Sequence, residues 1–137
     1  SLIRIGKVLI LNVSAESLNW GNQDPNQKDI IPQSPSMPIQ IGINENSNDA
    51  DGIYLKSSGL SGNNPSDVIG PSNISWDTGA SRQTNLNNLS DYWQELRPGA
   101  SSIDCGTVYD TEFWLDTPPT YPGSYSGSIM IMANTSW

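Results

Sequence analysis

The chain has 137 residues, which is enough for one domain with a hydrophobic core of its own. Its 6 Lys and Arg residues stand against 14 Asp and Glu, so the net charge is −8 and the pI is near 4.1. Six scattered cations cannot form the basic surface that a nucleic acid or an anionic membrane requires, so neither is expected as a partner. The polar residues are mainly Ser and Asn, with 20 and 14 copies, a composition that favours an extracellular or cell-surface location. No apolar run reaches 18 residues, and we therefore expect no transmembrane segment.

The first predicted element is the apolar run at residues 2–13. Residues 8–11 are apolar on both faces of an extended chain, which predicts a strand that is buried on both sides. Such a strand can complete the sheet of a neighbouring subunit or pair within its own sandwich, and the sequence leaves both arrangements open. Residues 1–13 are therefore predicted to be a donated strand or an edge strand. The side chains expected to carry assembly are Ile3, Ile5, Val8, Leu9, Ile10, Leu11 and Val13.

A polar loop at residues 21–38 leads to the next strand, in which Ile39, Ile41 and Ile43 alternate with polar residues or Gly. This alternation predicts a strand with one buried face, and residues 53–56 are predicted to be its partner. The connection at residues 44–52 is rich in side-chain oxygens, and Asn46, Asp49 and Asp51 are candidate calcium ligands. It fails as an EF-hand loop, because Ser58 stands where a bidentate Glu is required. A looser calcium site and a plain polar loop both remain open, and no other cofactor is expected.

Two weaker elements follow in the middle of the chain. A short strand is predicted at residues 74–76, after the Gly70-Pro71 turn. Residues 88–96 carry apolar side chains at a helical spacing, which predicts one helical turn with these side chains on one face. The side chains on that face are Leu89, Tyr92, Trp93 and Leu96.

The last two strands have the clearest alternation. From Thr107, the side chains of Tyr109, Phe113 and Leu115 are predicted to face inward, and the acidic positions between them outward. After a turn at residues 118–123, odd-numbered residues from 125 to 133 are predicted to face inward. The whole pattern predicts a single all-β domain over residues 1–137, with roughly seven to nine short strands in a sandwich or barrel.

Residues 96–101 (LRPGAS), 111–118 (TEFWLDTP) and 122–129 (PGSYSGSI) carry a resemblance, to which residues 14–21 (SAESLNWG) add a little. These stretches resemble the closing strands and the opening of immunoglobulin-like domains in prokaryotic, notably archaeal, secreted and cell-surface proteins. The match lies mainly in the last two strands. The resemblance implies an immunoglobulin-like β-sandwich outside the cell, and it specifies no ligand.

Catalytic chemistry has few candidate residues in this sequence. There is no His, so the commonest general base and every Ser-His-Asp or Cys-His arrangement are absent. Cys105 is the single cysteine and has no partner base, and burial is the expected state of its thiol. Asp110, Glu112 and Asp116 alternate on one strand face, and a solvated outer surface is the favoured interpretation. We therefore expect that the protein is not an enzyme.

Surface chemistry offers two further kinds of site. Four sequons, at Asn12, Asn73, Asn88 and Asn134, are candidate glycosylation sites in a secreted protein. Among the aromatic residues, Trp114 is the candidate for stacking on a sugar, because it shares the predicted outward face of its strand with the acidic residues.

The sequence therefore predicts an extracellular structural subunit of a filament, a pilus-like thread or a surface layer. Self-association into a homopolymer would proceed by addition of the N-terminal strand to a neighbour. The alternative is a carbohydrate-binding or adhesive surface module that uses exposed Trp and Tyr, with or without calcium.

Overall fold

Short strands joined by turns and loops make up the regular structure. The computed structural model describes residues 8–78, 87–97, 99, 102–119 and 123–135. Within these ranges the elements are β1 (Leu11–Val13), β2 (Ile39–Ile43), β3 (Gly52–Ser61), β4 (Val68–Ile69), a 3₁₀ turn (Pro71–Asn73), β5 (Ile74–Asp77), β6 (Asn87–Asn88), β7 (Gln94–Glu95), β8 (Val108–Leu115) and β9 (Ser126–Asn134).

The first sheet has five strands in the order β1-β2-β8-β5-β6, and all neighbours are antiparallel. Ile41 of β2 lies opposite Val13 of β1 on one side and Tyr109 of β8 on the other. The second half of β8 pairs with β5, where Phe113 lies opposite Trp76. The edge strand β1 is only three residues long, so it covers a small part of its neighbour.

The second sheet is organised around β3, its longest strand. β9 pairs along β3 from Gly52 to Ser61, while β7 and β4 pair with the beginning and the end of β3. The register between β3 and β9 shifts between Ser57 and Leu60. Within the described residues, β3 is the strand partner of β9, and the opposite edge of β9 has no strand beside it.

One hydrophobic core joins the inner faces of both sheets. Because side chains alternate along a strand, the odd-numbered isoleucines of β2 face the odd-numbered residues of β3 across it. Its buried members are Trp20, Ile39, Ile41, Ile43, Ala50, Ile53, Leu55, Ile69, Ile74, Trp76, Leu89, Leu96, Ile103, Phe113 and Leu115. The predicted all-β class is confirmed, and two antiparallel sheets that share a core are the layers of a β-sandwich. The nine strands of the described ranges fall within the predicted number; immunoglobulin-like connectivity stays a prediction.

The predicted helical turn at residues 88–96 is wrong. The segment contains the end of β6 and all of β7, and its apolar side chains do not share one face. Leu89 and Leu96 are buried, whereas Tyr92 is 64% exposed. The helical spacing is outweighed by pairing with distant strands, since Leu89 N–H donates to Ile74 and Leu96 N–H donates to Ile53.

The apolar run at residues 2–13 is predicted to be buried on both faces, but its described part is buried on one face only. Residues 1–7 lie outside the described residues. From residue 8 the run forms the edge of the first sheet, where Leu9 and Leu11 pack against the core and Val8 is 50% exposed. Ile10 is exposed as well, and Val13, which lies on the inner face opposite Ile41, is 38% exposed where the strand ends. An edge position on a two-layer fold leaves the outer face of the strand without a covering layer, which accounts for the difference.

Candidate functional site

An apolar groove opens between the two sheets along the edge of β9 that, among the described residues, has no strand beside it. Ile129 and Ile131 of β9 point inward but are only half-buried, whereas Ile53 and Leu55 of the adjacent β3 are fully buried. Across the gap, β1 of the first sheet stops at Val13. The sandwich is therefore uncovered on this side.

The groove has a volume of about 430 Å³ and is lined mainly by core side chains. Its floor is formed by inward-facing residues of the first sheet, and one wall by β9 together with Leu60 and Ile69. The opposite wall is the chain from Val13 to Pro25. The apolar side chains on the floor are Ile39, Ile41, Ile74, Phe113 and Leu115. A second chain segment with alternating apolar side chains is the kind of occupant that such a slot fits, since a free strand edge also offers backbone hydrogen bonds.

One end of the groove is closed by contacts between the Val13–Pro25 wall and the chain before β9. Gln23 and Gly123 form an antiparallel bridge, and Ser124 Oγ donates a 2.7 Å hydrogen bond to Asn22 Oδ1. Tyr125 lies at this end. The groove therefore runs from Val13 and Ile131 toward a closed end at residues 123–125.

The wall itself is fixed to β8 by the side chain of Thr117. Its hydroxyl accepts a 2.8 Å hydrogen bond from Gln27 N–H and donates a 2.7 Å bond to the carbonyl oxygen of Asp24. Trp20 adds a buried contact from the same loop, because its indole N–H donates to the Ile30 carbonyl at 2.8 Å. These hydrogen bonds hold the loop in place as one wall of the groove.

The rim of the groove is acidic. Glu16 and Asp24 both line it, and both are exposed. In the part of the chain that the structure describes, the single ion pair joins Lys28 and Asp116 at 3.9 Å, so neither rim carboxylate is in one. A cationic partner segment would meet favourable charges there.

The predicted assembly residues divide between the described edge and the segment before it. Leu9, Leu11 and Val13 point toward the core side, and Val8 and Ile10 point outward. The edge is fastened by Ser47, whose hydroxyl accepts from Ile10 N–H at 2.8 Å. Ile3 and Ile5 lie outside the described residues. The described part of the strand pairs within its own sandwich, and donation remains a property to be tested for residues 1–7.

The candidate calcium loop is hydrogen-bonded to other parts of the protein and within its own turn. Asp49 Oδ1 accepts a hydrogen bond from Cys105 N–H at 2.8 Å, and Asp51 N–H donates to the Asn134 carbonyl at 2.7 Å. Asn46 N–H donates to Asn44 Oδ1 at 2.8 Å within the turn. Among the described residues, no group of three or more His, Cys, Asp or Glu side chains is placed to hold a metal.

Trp114 is not the exposed aromatic that its position predicts. It lies on the outer face of β8 but is only 5% exposed. The reason is its place in the sheet: Ser75 of β5 lies opposite it on one side, and the bridge between Ile30 and Leu115 brings the long loop to the other. Among the described residues, the exposed aromatic side chains are instead those of Tyr92 and Trp93, and Trp93 is 36% exposed.

Cys105 is exposed, so its predicted burial is wrong. It lies in the turn before β8, next to Gly106, which has a φ of 85°. Local desolvation and then the carboxylates of Asp49 and Asp104 raise the pKa of its thiol above the ordinary value. A raised pKa keeps the group a protonated thiol at neutral pH.

The sequon asparagines lie on the surface to different degrees. Asn12 in β1, Asn88 in β6 and Asn134 at the end of β9 are exposed, and Asn73 in the 3₁₀ turn is half-buried. All four remain candidate sites.

The groove wall was missed at the level of sequence. Ala15 and Leu18 pack against the core, but their spacing fits no regular period, and Glu16 between them reads as an ordinary surface residue. The sequence contained one indirect indication of the wall. The inward-facing positions of the last strand are apolar, and another segment must cover them.

No protein-family model, curated protein or solved structure matches this chain. None of the helical segments in the described ranges has the length and hydropathy needed to cross a membrane.

Proposed function

We propose that the protein is an extracellular structural subunit that polymerises into a filament by strand addition. Residues 1–7, which we name the donor segment, enter the groove of the next copy and pair with the free edge of β9. The observation that carries the proposal is the apolar groove beside an edge of β9 that no strand of the described ranges covers, with half-buried Ile129 and Ile131 on its wall. Burial of these side chains and pairing of the edge would both stabilise the polymer.

The donor segment has the composition of a strand that fills such a slot. Ile3 and Ile5 fall on one face of an extended chain, and Leu2 and Arg4 on the other. An extended donor rises by about 3.3 Å per residue, as does the part of β9 that lines the groove, so its side chains can stay in step with those of β9.

The occupant that we propose is a second copy of the chain. The donor segment joins the described structure at Val8, whereas the groove begins near Val13, roughly 17 Å farther along the edge strand. A head-to-tail contact between copies grows an open polymer because it is heterologous.

The extracellular location rests on the low charge content, the Ser- and Asn-rich surface, the sequons and the resemblance to surface domains. Three of the sequon asparagines are exposed and lie outside the lining of the groove, so glycans on them would decorate a filament without filling its joints.

The test compares two matched double variants. Ile3→Asn with Ile5→Asn places two polar amides on the face that enters the groove, and polymer growth measured by light scattering and negative-stain microscopy should be abolished. Leu2→Asn with Gly6→Asn adds the same amides to the outward face, leaves the charge of the donor segment unchanged, and should retain growth. Equal growth of both variants would contradict the proposal, as would a wild-type chain that stays monomeric up to its solubility limit.

A synthetic peptide of residues 1–8 gives a second readout that needs no variant protein. In excess, it should occupy the groove and stop growth of the wild-type chain. The same peptide with Asp at positions 3 and 5 should have no effect. Thermal melts of each variant monomer separate loss of assembly from loss of folding.

A second candidate function, carbohydrate binding, is favoured by one observation on the second sheet. Tyr92 and Trp93 are adjacent and exposed, and Lys56 Nζ lies 4.7 Å from the centre of the Trp93 ring. A cation against one face fixes the indole while leaving aromatic surface for stacking on a sugar. Titration of soluble polysaccharides should shift the tryptophan fluorescence of the wild-type chain but not of Trp93→Ala. No difference between the two titrations would exclude these residues as a sugar platform.

A further inference from the structure

We infer, on the basis of the proposed strand addition, that the backbone N–H and C=O groups of Ile129, Ile131 and Ala133 bind the incoming strand of a second copy. Only every second residue of a strand directs its backbone groups to a given edge, so these three residues rather than the whole of β9 make the contact. A strand of either direction would use the same groups, because parallel and antiparallel ladders both bond to this row.

Among the described strands, β9 is the only long one at the edge of a sheet. It has nine residues, whereas the edge strands β1, β4, β6 and β7 have two or three. Proteins commonly protect a long edge from other strands with charged residues or Pro. Residues 126–134 (SGSIMIMAN) include no charged residue and no Pro. An edge of this composition pairs readily with another strand.

The ladder between β3 and β9 uses the even-numbered residues of β9. The carbonyl oxygen of Asn134 accepts from Asp51 N–H at 2.7 Å, and that of Ser128 accepts from Ser57 Oγ at 2.8 Å. Both carbonyl groups therefore point toward β3. Because backbone groups alternate between the two edges of a strand, the two even-numbered residues between them also face β3.

The hydrogen bonds on the other side of β3 agree with this assignment. The Ile53 carbonyl accepts from Leu96 N–H at 2.8 Å, and Ser57 N–H donates to the Ser90 carbonyl at 2.9 Å. Both bonds lead away from β9, toward the segment that contains β7. The odd-numbered residues in this part of β3 thus bond on the β7 side, and the even-numbered residues bond with β9.

The three odd-numbered residues of β9 therefore point their N–H and C=O groups to the edge away from β3. These residues are Ile129, Ile131 and Ala133, and their side chains pack against the core while remaining only partly buried. The same residues offer an occupant both hydrogen bonds and apolar surface. An extended strand takes up both, which is why we assign a strand rather than a compact apolar ligand to this edge.

Amide hydrogen exchange tests the assignment residue by residue. In the monomer at low concentration, the amides of Ile129, Ile131 and Ala133 should exchange at least tenfold faster than those of Met130 and Met132, which bond to β3. In the polymer, all five amides should exchange slowly. Fast exchange of the three odd-numbered amides in the polymer overturns the inference, while polymer growth itself leaves the proposed function standing. Slow exchange of the three in the monomer also overturns it, because the chain would then cover its own edge.

A proline at position 131 tests one of these groups by polymer growth. Ile131→Pro removes the N–H that points away from β3 and leaves the ladder with β3 intact, since an edge strand tolerates Pro on its outer side. Ile131→Ala shortens the side chain and keeps the N–H. Growth measured by light scattering should be about tenfold slower for Ile131→Pro than for Ile131→Ala. Equal growth of the two variants, each shown by thermal melts to be folded, overturns the role of this amide.

The synthetic peptide of residues 1–8 separates this inference from the proposed function. If the wild-type chain forms no polymer, the proposed function fails, and an excess of the peptide replaces the polymer in the exchange measurement. Slower exchange at Ile129, Ile131 and Ala133 then supports their role in binding a strand. Unchanged exchange at all three overturns it.

Discussion

The indole N–H of Trp76 donates a 2.8 Å hydrogen bond to the carbonyl oxygen of Leu96. Trp76 belongs to β5 of the first sheet, and Leu96 follows β7 of the second, so this bond crosses the core and ties the two layers together. Both side chains are almost completely buried. Because the buried donor and the buried acceptor bond to each other, neither group bears the free-energy cost of being removed from water without a partner.

Replacement of Trp76 by Phe should therefore destabilise the protein by about 1–3 kcal/mol, because the Leu96 carbonyl loses its partner inside the core. The measurement is equilibrium urea denaturation. Tyr92→Phe is the matched control, since Tyr92 is largely exposed and its change should stay within about 0.5 kcal/mol. Equal losses for the two variants would show that the crossing bond contributes nothing.

Thr117→Val should loosen the wall of the groove. The substitution keeps the shape of the side chain but removes a hydroxyl that bonds both Gln27 N–H and the Asp24 carbonyl, at a cost of about 1–3 kcal/mol. Hydrogen exchange at the Gln27 amide should accelerate, and polymer growth should slow. Thr117→Ser retains the hydroxyl and should preserve slow exchange at the Gln27 amide. Fast exchange in both variants would show that the hydroxyl does not protect this amide.

Gly127→Ala should destabilise the second sheet. A Cβ on Gly127 would collide with the Gly59 carbonyl oxygen at the register shift of β3, and Gly59 itself has a φ of 90°, so the backbone has little freedom to move away. Overpacking of this kind costs about 1–3 kcal/mol. Gly70→Ala is the control, because no atom lies within 4 Å of its Cβ position and its φ of −64° suits any residue. The midpoints of thermal unfolding of the two variants should differ by several degrees.

The thiol of Cys105 should react with iodoacetamide over a pH range higher than that of an ordinary cysteine. Desolvation and the carboxylates of Asp49 and Asp104 disfavour the thiolate, and the thiolate is the reactive form, so the alkylation rate should reach half its maximum at a raised pH. Asp49→Asn removes one of the negative charges and should move that midpoint to lower pH. An unchanged or higher midpoint in Asp49→Asn would contradict the assigned cause.

Alternation along single strands predicted the inner surfaces of the fold well. The isoleucines of β2 and the inward residues of β8 and β9 follow a period of two, and burial on one face of an antiparallel sheet produces that period directly. The edge position of residues 8–13 was one of the two predicted arrangements. Each of these features depends on residues that are close together in the chain, and such features can be predicted from the sequence.

The failures concern contacts between segments that are distant in the chain. Leu89 and Leu96 have a helical spacing, but their backbone N–H groups donate to the carbonyl oxygens of Ile74 and Ile53, and each directly follows a short strand. Trp114 alternates correctly onto the outer face and is nevertheless covered, because the loop around Ile30 joins the edge of β8 beside it. The groove also depends on segments that are distant in the chain. The sequence of each wall is ordinary by itself, and the groove exists because the folded chain holds the walls apart.

The arrangement of the second sheet has a consequence for how the chain folds. β4, β7 and β9 each pair with β3, and no described strand of that sheet links them to one another. β9 meets β3 across a sequence separation of about 70 residues, and closure of a loop that long must precede most of the stabilising burial. Folding should therefore be slow, on a scale of milliseconds to seconds, and should wait for the last strand to leave the ribosome.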